Sequence, residues 1–406
     1  MTESGLSVTI QPTALAAMLE TSQIRHELVP HHGVLTPFSL DAPESEIAAL
    51  TTGAALHDLG WMRRVAVRGE DRFRWLSGMV TNSVNDLFPN TGAWNLVLNA
   101  QGRIQGDLTV WRGDEEVSPL RRIPVGATPG KPDPQQGTPF AGESSLELEI
   151  AADQFEKLMA HFDRFIIMDD VELVPLDGEQ VGEPGTLTAI GLTGPTANDV
   201  LERMGLPLFP HPLTAKTVEW NGIELRIFRA YGVLAPHYEF WVPSVRLVVF
   251  WRALRTAGAT QVGCGSLEKF RIAEGIPSYG IDIAERDLPQ ETAQMRALHF
   301  SKGCYLGQEI VERIRSRGNV HRHLRPLELT GPVPAAGTEL YLPGGDAAGN
   351  ITSAAQLPLA GGQRVFALGV IRAEAESRNF SFNYTDGTSP GTAAILAEPP
   401  NLQGRR

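Results

Sequence analysis

The run Glu274-Gly275-Ile276-Pro277-Ser278-Tyr279-Gly280-Ile281-Asp282 contains two glycines and one proline within nine residues. The segment Ser266–Glu274 is predicted to be a helix that ends at the first glycine. Pro277 then fixes the backbone of the turn. This layout places Tyr279 and Asp282 on loops, where polar groups can face a ligand. A tight helix-to-loop connector is the alternative interpretation of the glycines and the proline.

A second run follows, Lys302-Gly303-Cys304-Tyr305-Leu306-Gly307-Gln308-Glu309. Cys304 precedes a helix predicted from Gly307 and stands beside Lys302. A helix N-terminus and nearby cations both favour the thiolate form of cysteine. Cys304 is therefore a candidate reactive thiol or transient metal ligand, and a buried, inert cysteine is the alternative. Cys264 stands between two glycines without such neighbours and is expected to be structural.

Composition excludes several classes of protein. The chain has 406 residues, enough for two or three packed units, and a net charge of −12, which argues against broad contact with nucleic acid. Its two cysteines cannot build a disulfide framework, and no thiol-only zinc site or iron–sulfur cluster fits within one chain. No apolar run is long enough to span a bilayer, and Met1–Ile10 lacks the features of a secretory signal. A cytoplasmic protein that makes no membrane contact is expected.

Basic residues are concentrated between positions 296 and 325. The cationic side chains there are Arg296, Lys302, Arg313, Arg315, Arg317, Arg322 and Arg325, opposed only by Glu309 and Glu312. Such a stretch in an acidic protein indicates a local site for an anion, and a solvated helix face is the alternative.

The chain is predicted to be an α+β protein. Strands at Trp94–Asn99 and Ile104–Trp111 form a hairpin with a glycine in its turn, and the glycine-punctuated strands after Arg325 indicate a β-barrel. The predicted organisation is an N-terminal helix and linker (1–43), a mixed region (44–325) with a flexible Pro- and Gly-rich insertion at about 113–145, a C-terminal β-barrel (326–398) and a tail (399–406).

The order of these segments resembles the T-protein of the glycine cleavage system and its relatives. The resemblance rests on the 274–282 run, on His57-Asp58-Leu59, on Leu98-Asn99-Ala100-Gln101-Gly102 and on Gly349-Asn350-Ile351-Thr352-Ser353. It covers nearly the whole chain apart from 113–145 and both ends. It implies an aminomethyltransferase-like folate-binding fold, with mixed α/β ferredoxin-like subdomains around a central channel and a C-terminal β-barrel.

The cysteine-containing run resembles one branch of this superfamily, the YgfZ-type proteins and their mitochondrial iron–sulfur assembly relatives. All elements of that branch's run are present, ending at Arg313. The resemblance implies a tetrahydrofolate-binding factor that supports assembly or repair of iron–sulfur enzymes, tRNA-modifying ones included, through Cys304. Its partners would be folate and iron–sulfur client proteins, and a monomer without direct nucleic-acid contact is expected.

Asp107 is the second catalytic candidate implied by the resemblance. In aminomethyltransferases an aspartate of this strand faces folate and assists one-carbon transfer, whereas Gly106 occupies the first acidic place here. Ala235 and Pro236 stand where those enzymes have acids that hold the pterin, and Glu239 remains at a strand position. The folate contacts that the resemblance implies are Asn99, Asp107, Tyr279, Lys302 and Arg313.

Two other functions fit the same fold. One is a tetrahydrofolate-dependent aminomethyltransferase, against which the missing acids and Cys304 both argue. The other is a folate-dependent demethylase domain for small N-methyl amines, although the chain has no flavin-binding segment.

Overall fold

A computed structural model describes residues 10–21, 26–113, 146–176, 186–318, 320–378 and 381–403. The insertion predicted at 113–145 lies outside these ranges apart from Gly113. Among the helices that the structure describes, none combines the length and apolar composition that crossing a membrane would need.

Helices alternate with strands along the chain. They are α1 (Ala14–Thr21), α2 (Pro43–Thr52), α3 (Arg72–Met79), α4 (Ala152–Asp163), α5 (Ala197–Arg203), α6 (Leu247–Thr256), α7 (Cys264–Glu274), α8 (Gln308–Arg317) and α9 (Ala373–Arg378). Short 3-10 helices occur at Ser244–Arg246, Pro289–Thr292 and Met295–Ala297.

A hairpin of two strands, β1 (Leu28–His31) and β2 (Val34–Pro37), occupies the segment that the sequence indicated was a loose connection. The large sheet contains β3 (Ala55–Asp58), β4 (Met62–Arg68), β5 (Thr91–Leu98), β6 (Ile104–Arg112), β7 (Leu146–Ala151), β8 (Glu172–Pro175), β9 (Leu187–Thr193), β10 (Thr214–Trp220), β11 (Ile223–Ala230), β12 (His237–Pro243) and β13 (Thr260–Val262).

The strand order of the large sheet divides it into two groups. One is β13-β3-β9-β12-β11-β10 and the other is β5-β6-β7-β4-β8. A single residue pair, Thr214 with Thr91, joins β10 to β5. Strands β5 and β6 form the predicted hairpin, and Gly102 takes a φ of +69° in its turn, a conformation that glycine adopts without strain.

Each group of strands buries its own core against helices. Helix α6 covers the first group, because its apolar side chains recur at the spacing of a buried helix face: Leu247, Phe250, Trp251 and Leu254. Helices α3 and α4 cover the second group, with Leu76 and Phe162 fully buried. In each group of strands, helices cover one face of the sheet. The other face of each group is turned toward the other group.

The C-terminal strands close into a barrel. These are β14 (Arg322–Thr330), β15 (Glu339–Tyr341), β16 (Ala347–Leu359), β17 (Gly362–Arg372), β18 (Ser381–Asp386) and β19 (Ser389–Ile395), in the order β14-β17-β16-β15-β18-β19. Closure removes the unpaired sheet edges. The mixed α/β fold with a C-terminal β-barrel is thereby confirmed.

Candidate functional site

The two groups of the large sheet meet around a central cavity of about 250 Å³. Its walls come from β5, β6 and β7 on one side and from β11 and β12 on the other. The loop after α7 and the 3-10 helix at Met295–Ala297 complete it. The side chains with polar or aromatic groups that line it include His32, Trp61, Trp94, Asp107, Glu149, Gln154, Tyr231, His237, Glu239, Tyr279 and Arg296.

Asp107 on β6 is held rigidly in the cavity wall. Its Oδ2 accepts a hydrogen bond from Trp94 Nε1 at 2.9 Å, and its Oδ1 accepts one from Gln154 Nε2 at 2.9 Å. Withdrawal from bulk water raises the pKa of Asp107, and these two hydrogen bonds oppose the shift. The carboxyl group is therefore fixed in position and retains lone pairs for a ligand.

The neighbouring position, Gly106, faces the other side of the strand. A Cβ there would lie 2.7 Å from Gln154 Oε1 and 2.9 Å from Leu158 Cδ2, both on α4. An acidic residue at 106 would therefore be driven into the packed helix and away from the cavity, because successive side chains of a strand point to opposite faces.

Arg296 reaches the cavity from the 3-10 helix. Its guanidinium lies 4.2 Å from the ring centre of Trp94 and 3.9 Å from that of Tyr231, so it is held between two aromatic rings. Burial lowers the pKa of Arg296 to about 10, which still leaves it charged at neutral pH. Its Nε donates to Gln294 Oε1 at 3.1 Å.

Two carboxyl groups meet at the far end of the cavity, Glu149 from β7 and Glu239 from β12. Burial and repulsion by Glu239 raise the pKa of Glu149 well above its ordinary value, and burial raises the pKa of Glu239. Glu239 Oε2 is buried without a hydrogen-bond partner. Each carboxyl group thus makes ionisation of the other less favourable, because like charges repel strongly in a buried site.

Buried arginines balance this acidic pair. Arg64 donates to Glu147 and, at 3.0 Å, to Glu149. Arg226 of β11 also pairs with Glu147 and so links the two strand groups. The positive charges of Arg64 and Arg226 offset negative charge on the acidic groups, which makes the cluster tolerable in the interior.

A chain of polar groups leads away from the glutamate pair. His237 Nε2 lies 3.5 Å from Glu239 Oε1, and His237 Nδ1 lies 2.5 Å from Thr193 Oγ1. Thr193 Oγ1 is also 2.9 Å from Nε2 of the buried His57. Burial lowers the pKa of both histidines, so the imidazole rings of His57 and His237 are uncharged at neutral pH.

Tyr279 lines the cavity as the sequence predicts, and its hydroxyl accepts a hydrogen bond from Lys157 Nζ at 2.9 Å. Asp282 does not face a ligand. It accepts hydrogen bonds from Arg271 at 2.7 Å and from Ser353 of the barrel at 2.7 Å, among others. For Asp282 the structure therefore favours the alternative of a connector, because its oxygens join the loop to the barrel.

Lys302 lies outside the cavity lining. Its Nζ donates to the carbonyl oxygens of Ser77 at 2.7 Å, Val80 at 2.6 Å and Asn82 at 2.7 Å. Burial lowers the pKa of Lys302 to about 7, and the three carbonyl contacts oppose that shift. All three N–H donors are thus engaged by the end of α3, which leaves none for folate or for Cys304.

Cys304 is exposed and also lies outside the residues that line the cavity. It precedes α8 by four positions, so the N-terminal peptide groups of that helix do not bracket it directly. Cys264 is buried, and burial raises the pKa of its thiol to about 12. Of the two thiols, only that of Cys304 is open to another protein.

The two other predicted folate contacts, Asn99 and Arg313, are not among the residues that line the cavity. Asn99 Oδ1 accepts hydrogen bonds from the backbone N–H of Gln101 and of Arg103, both at 3.0 Å, and so shapes the β5–β6 turn. Arg313 is exposed on α8. Within the described residues, His, Cys, Asp and Glu side chains form no group of three that could hold a metal ion.

Sequence reasoning missed Glu149, His32 and the individual role of Arg296. Glu149 stands in the strand Leu146–Ala151, whose alternating glutamates are the one signal that could have indicated a polar strand face. His32 comes from the tip of the N-terminal hairpin, where it stacks on Trp61 at 4.3 Å and contacts Asp153 Oδ2 at 3.0 Å.

A solved structure of glycine cleavage system aminomethyltransferase T from Bartonella henselae matches with a TM-score of 0.78 over 98% of this chain and 100% of that chain, at 16% sequence identity. The chain has the aminomethyltransferase fold. At that identity the match establishes the fold alone.

Sequence comparisons support the aminomethyltransferase superfamily. The GCVT N-terminal domain matches residues 29–118. An aminomethyltransferase of Rubrobacter xylanophilus is 26% identical over 86% of this chain and 84% of that protein. An aminomethyltransferase of Caldanaerobacter subterraneus is 22% identical over 77% of this chain and 76% of that protein. The YgfZ-type branch stays a prediction from the cysteine-containing run.

Proposed function

We propose that the central cavity binds tetrahydrofolate. The observation that carries this is the cavity itself, with Asp107 fixed in its wall by Trp94 and Gln154. Aminomethyltransferase relatives support the same ligand class. Aromatic walls and few, precisely placed polar groups are typical of small-molecule sites.

The cavity offers the chemistry that a reduced pterin requires. A pterin presents N–H and NH₂ donors along one edge, and Glu149 and Glu239 supply carboxyl oxygens at one end of the cavity. These two acids take over the role that Ala235 and Pro236 cannot perform. Tyr279 lies beside the cavity opening, whereas Asn99, Lys302 and Arg313 are left without a direct folate contact in this proposal.

Tetrahydrofolate titration by calorimetry tests the proposal. We expect saturable binding by the wild-type protein and a loss of about tenfold or more for Asp107→Asn, because one charge-assisted interaction is removed. Asp346→Asn, in an exposed barrel turn, is the matched control and should bind like the wild type. Absence of binding by the wild-type protein would remove the folate assignment.

We further propose that the protein supports assembly or repair of iron–sulfur enzymes, tRNA-modifying ones included, through Cys304. The exposed thiol supports this proposal, because a client protein can approach it without opening of the fold. Asp107 and Cys304 would then act in separate places: folate in the cavity and the client at the surface near α8.

Complementation of a strain that lacks its own such factor tests the role of Cys304. Activity of an iron–sulfur tRNA-modifying enzyme is the readout. Cys304→Ala should abolish rescue, whereas Cys264→Ala, at the buried thiol, should rescue. Equal rescue by the two variants would make Cys304 dispensable.

An aminomethyltransferase is the second candidate, and one observation favours it. Asp107 occupies the cavity wall where a carboxylate could orient an amine. An assay of aminomethyl transfer to tetrahydrofolate from a lipoyl carrier protein distinguishes the candidates. Turnover that depends on Asp107 but not on Cys304 would favour the transferase.

A further inference from the structure

The basic side chains that the structure describes between positions 296 and 325 do not gather at one anion site. Lys302 is engaged by three carbonyls, Arg322 pairs with Asp287 and Glu291, and Arg325 pairs with Glu376. Arg315 lies 3.5 Å from Glu312 and packs on Phe300. Among the side chains of this stretch that the structure describes, Arg296 is the cation that lines the central cavity.

The terminal nitrogens of Arg296 are available to a ligand. Within the described residues, neither Nη1 nor Nη2 has a hydrogen-bond partner, and neither is a buried orphan atom, so both remain open to the cavity. The rings of Trp94 and Tyr231 cover the two faces of the guanidinium. Only its N–H edge can therefore interact with a further group, and that edge matches a carboxylate.

Asp107 and Arg296 attract each other across the cavity but do not form an ion pair. Both groups line the cavity, yet no hydrogen bond or ion pair joins them in the part of the chain that the structure describes, which places the charged atoms more than 4.0 Å apart. The oxygens of Asp107 are instead bonded to Trp94 and Gln154. The cavity thus presents a negative and a positive group side by side with a gap between them.

We propose that Arg296 is the carboxylate-binding residue of the central cavity, so that a ligand there carries a carboxylate on Arg296 beside an amine nitrogen facing Asp107. This inference rests on the proposed folate-binding cavity and adds the chemical class of the group that Arg296 recognises. Two sources can supply the carboxylate: the glutamate tail of tetrahydrofolate, or a small amino acid such as glycine or N-methylglycine.

Two pairs of probes separate the sources. Tetrahydrofolate and tetrahydropteroate differ in the glutamate tail, and N-methylglycine and dimethylamine differ in the carboxylate. Affinities are measured by calorimetry for the wild type, Arg296→Gln, Arg296→Lys and the control Arg252→Gln. Arg252 is exposed on α6 and outside the cavity lining.

In at least one pair of probes, the wild type should bind the probe with the carboxylate about ten- to hundredfold more tightly than the probe without it, as expected for a charge-assisted hydrogen bond. Arg296→Gln should abolish that preference and leave the partner's affinity unchanged. Arg296→Lys should keep part of it, because lysine preserves the charge but not the planar pair of donors. Arg252→Gln should match the wild type.

Three results overturn the inference. They are a wild type with no preference in either pair, an Arg296→Gln variant that keeps the preference, and an Arg296→Gln variant that weakens both members of a pair equally. If the wild type binds tetrahydrofolate and one of these three results is also obtained, the folate assignment stands and only the role of Arg296 is rejected. Failure of the wild type to bind any probe removes both. Thermal unfolding verifies that Arg296→Gln is folded, and Arg296→Lys provides the comparison if it is not.

Discussion

Gly307 and Gly303 lie in the same eight-residue run but have different structural requirements. Gly307 precedes α8 with a φ of +83°, and a Cβ there would lie 2.6 Å from the carbonyl oxygen of Asn99 and 3.0 Å from Gly102 Cα. At Gly303 a Cβ would meet no atom within 4 Å. Gly307→Ala should therefore destabilise the protein, whereas Gly303→Ala should not.

Two contributions set the magnitude for Gly307→Ala. The left-handed backbone conformation costs an alanine about 1–2 kcal/mol. The contact with the β5–β6 turn is backbone against backbone, so it cannot be relieved by a rotamer change and adds about 1–3 kcal/mol. The expected loss of unfolding free energy is about 2–5 kcal/mol, a large share of the roughly 5–15 kcal/mol typical of folded proteins.

Urea denaturation followed by tryptophan fluorescence measures this loss. The midpoint should fall for Gly307→Ala with little change in slope, and Gly303→Ala should stay within about 0.5 kcal/mol of the wild type. Equal midpoints for the two variants would refute the assignment of distinct roles to these glycines.

Two further changes test the structure. Asp282→Asn removes the negative charge that Arg271 and the barrel hydroxyls share. Urea denaturation should show that the free energy of unfolding falls by about 3–5 kcal/mol. A decrease no larger than that of Asp346→Asn would contradict this expectation. Burial and His32 lower the pKa of His31 from 6.5 to about 4. As the pH falls, His31 is protonated in the unfolded chain before it is protonated in the folded protein. The free energy of unfolding therefore decreases from pH 6.5 down to about pH 4. Between pH 7 and pH 5 the wild type should lose about 2 kcal/mol more than His31→Phe in thermal or urea unfolding, and equal losses would exclude the shift.

The cavity acids bear on the choice between the proposed functions. The sequence lacks the loop acids at Ala235 and Pro236, which argued against a conventional pterin site. The structure brings Glu149 and Glu239 together from strands of different groups. In the proposed folate site these two glutamates would supply the type of group that the loop lacks, from a different place.

Local patterns predicted the parts of the fold that depend on neighbours in sequence. The helix that ends at Gly275, the β5–β6 hairpin with Gly102 in its turn and the helix after Gly307 all appear within about three residues of their predicted bounds. Each rests on side-chain periodicity or on a backbone conformation that glycine favours, and both are properties of a short segment.

The directions of polar side chains could not be predicted in the same way. Lys302 stands beside Cys304 in sequence, yet its ammonium points to the carbonyls at the end of α3, more than 200 residues away along the chain. Asp282 and Tyr279 belong to one loop, but only Tyr279 faces the cavity. Each outcome depends on which distant unsatisfied groups lie within hydrogen-bond reach after folding.

The sequence by itself determined the α+β composition, the barrel, the run that contains Cys304 and the candidacy of Asp107. Only the tertiary structure decided which charged residues line the same cavity. Strands β6 and β7 face β11 and β12 across it, and these strands are far apart in sequence. The tertiary structure separated Arg296 from the other basic residues of its stretch and paired Glu149 with Glu239. Burial is the physical reason, because a charged group that is removed from water is stable only where an oppositely charged or hydrogen-bonding group contacts it, in the protein or in a ligand.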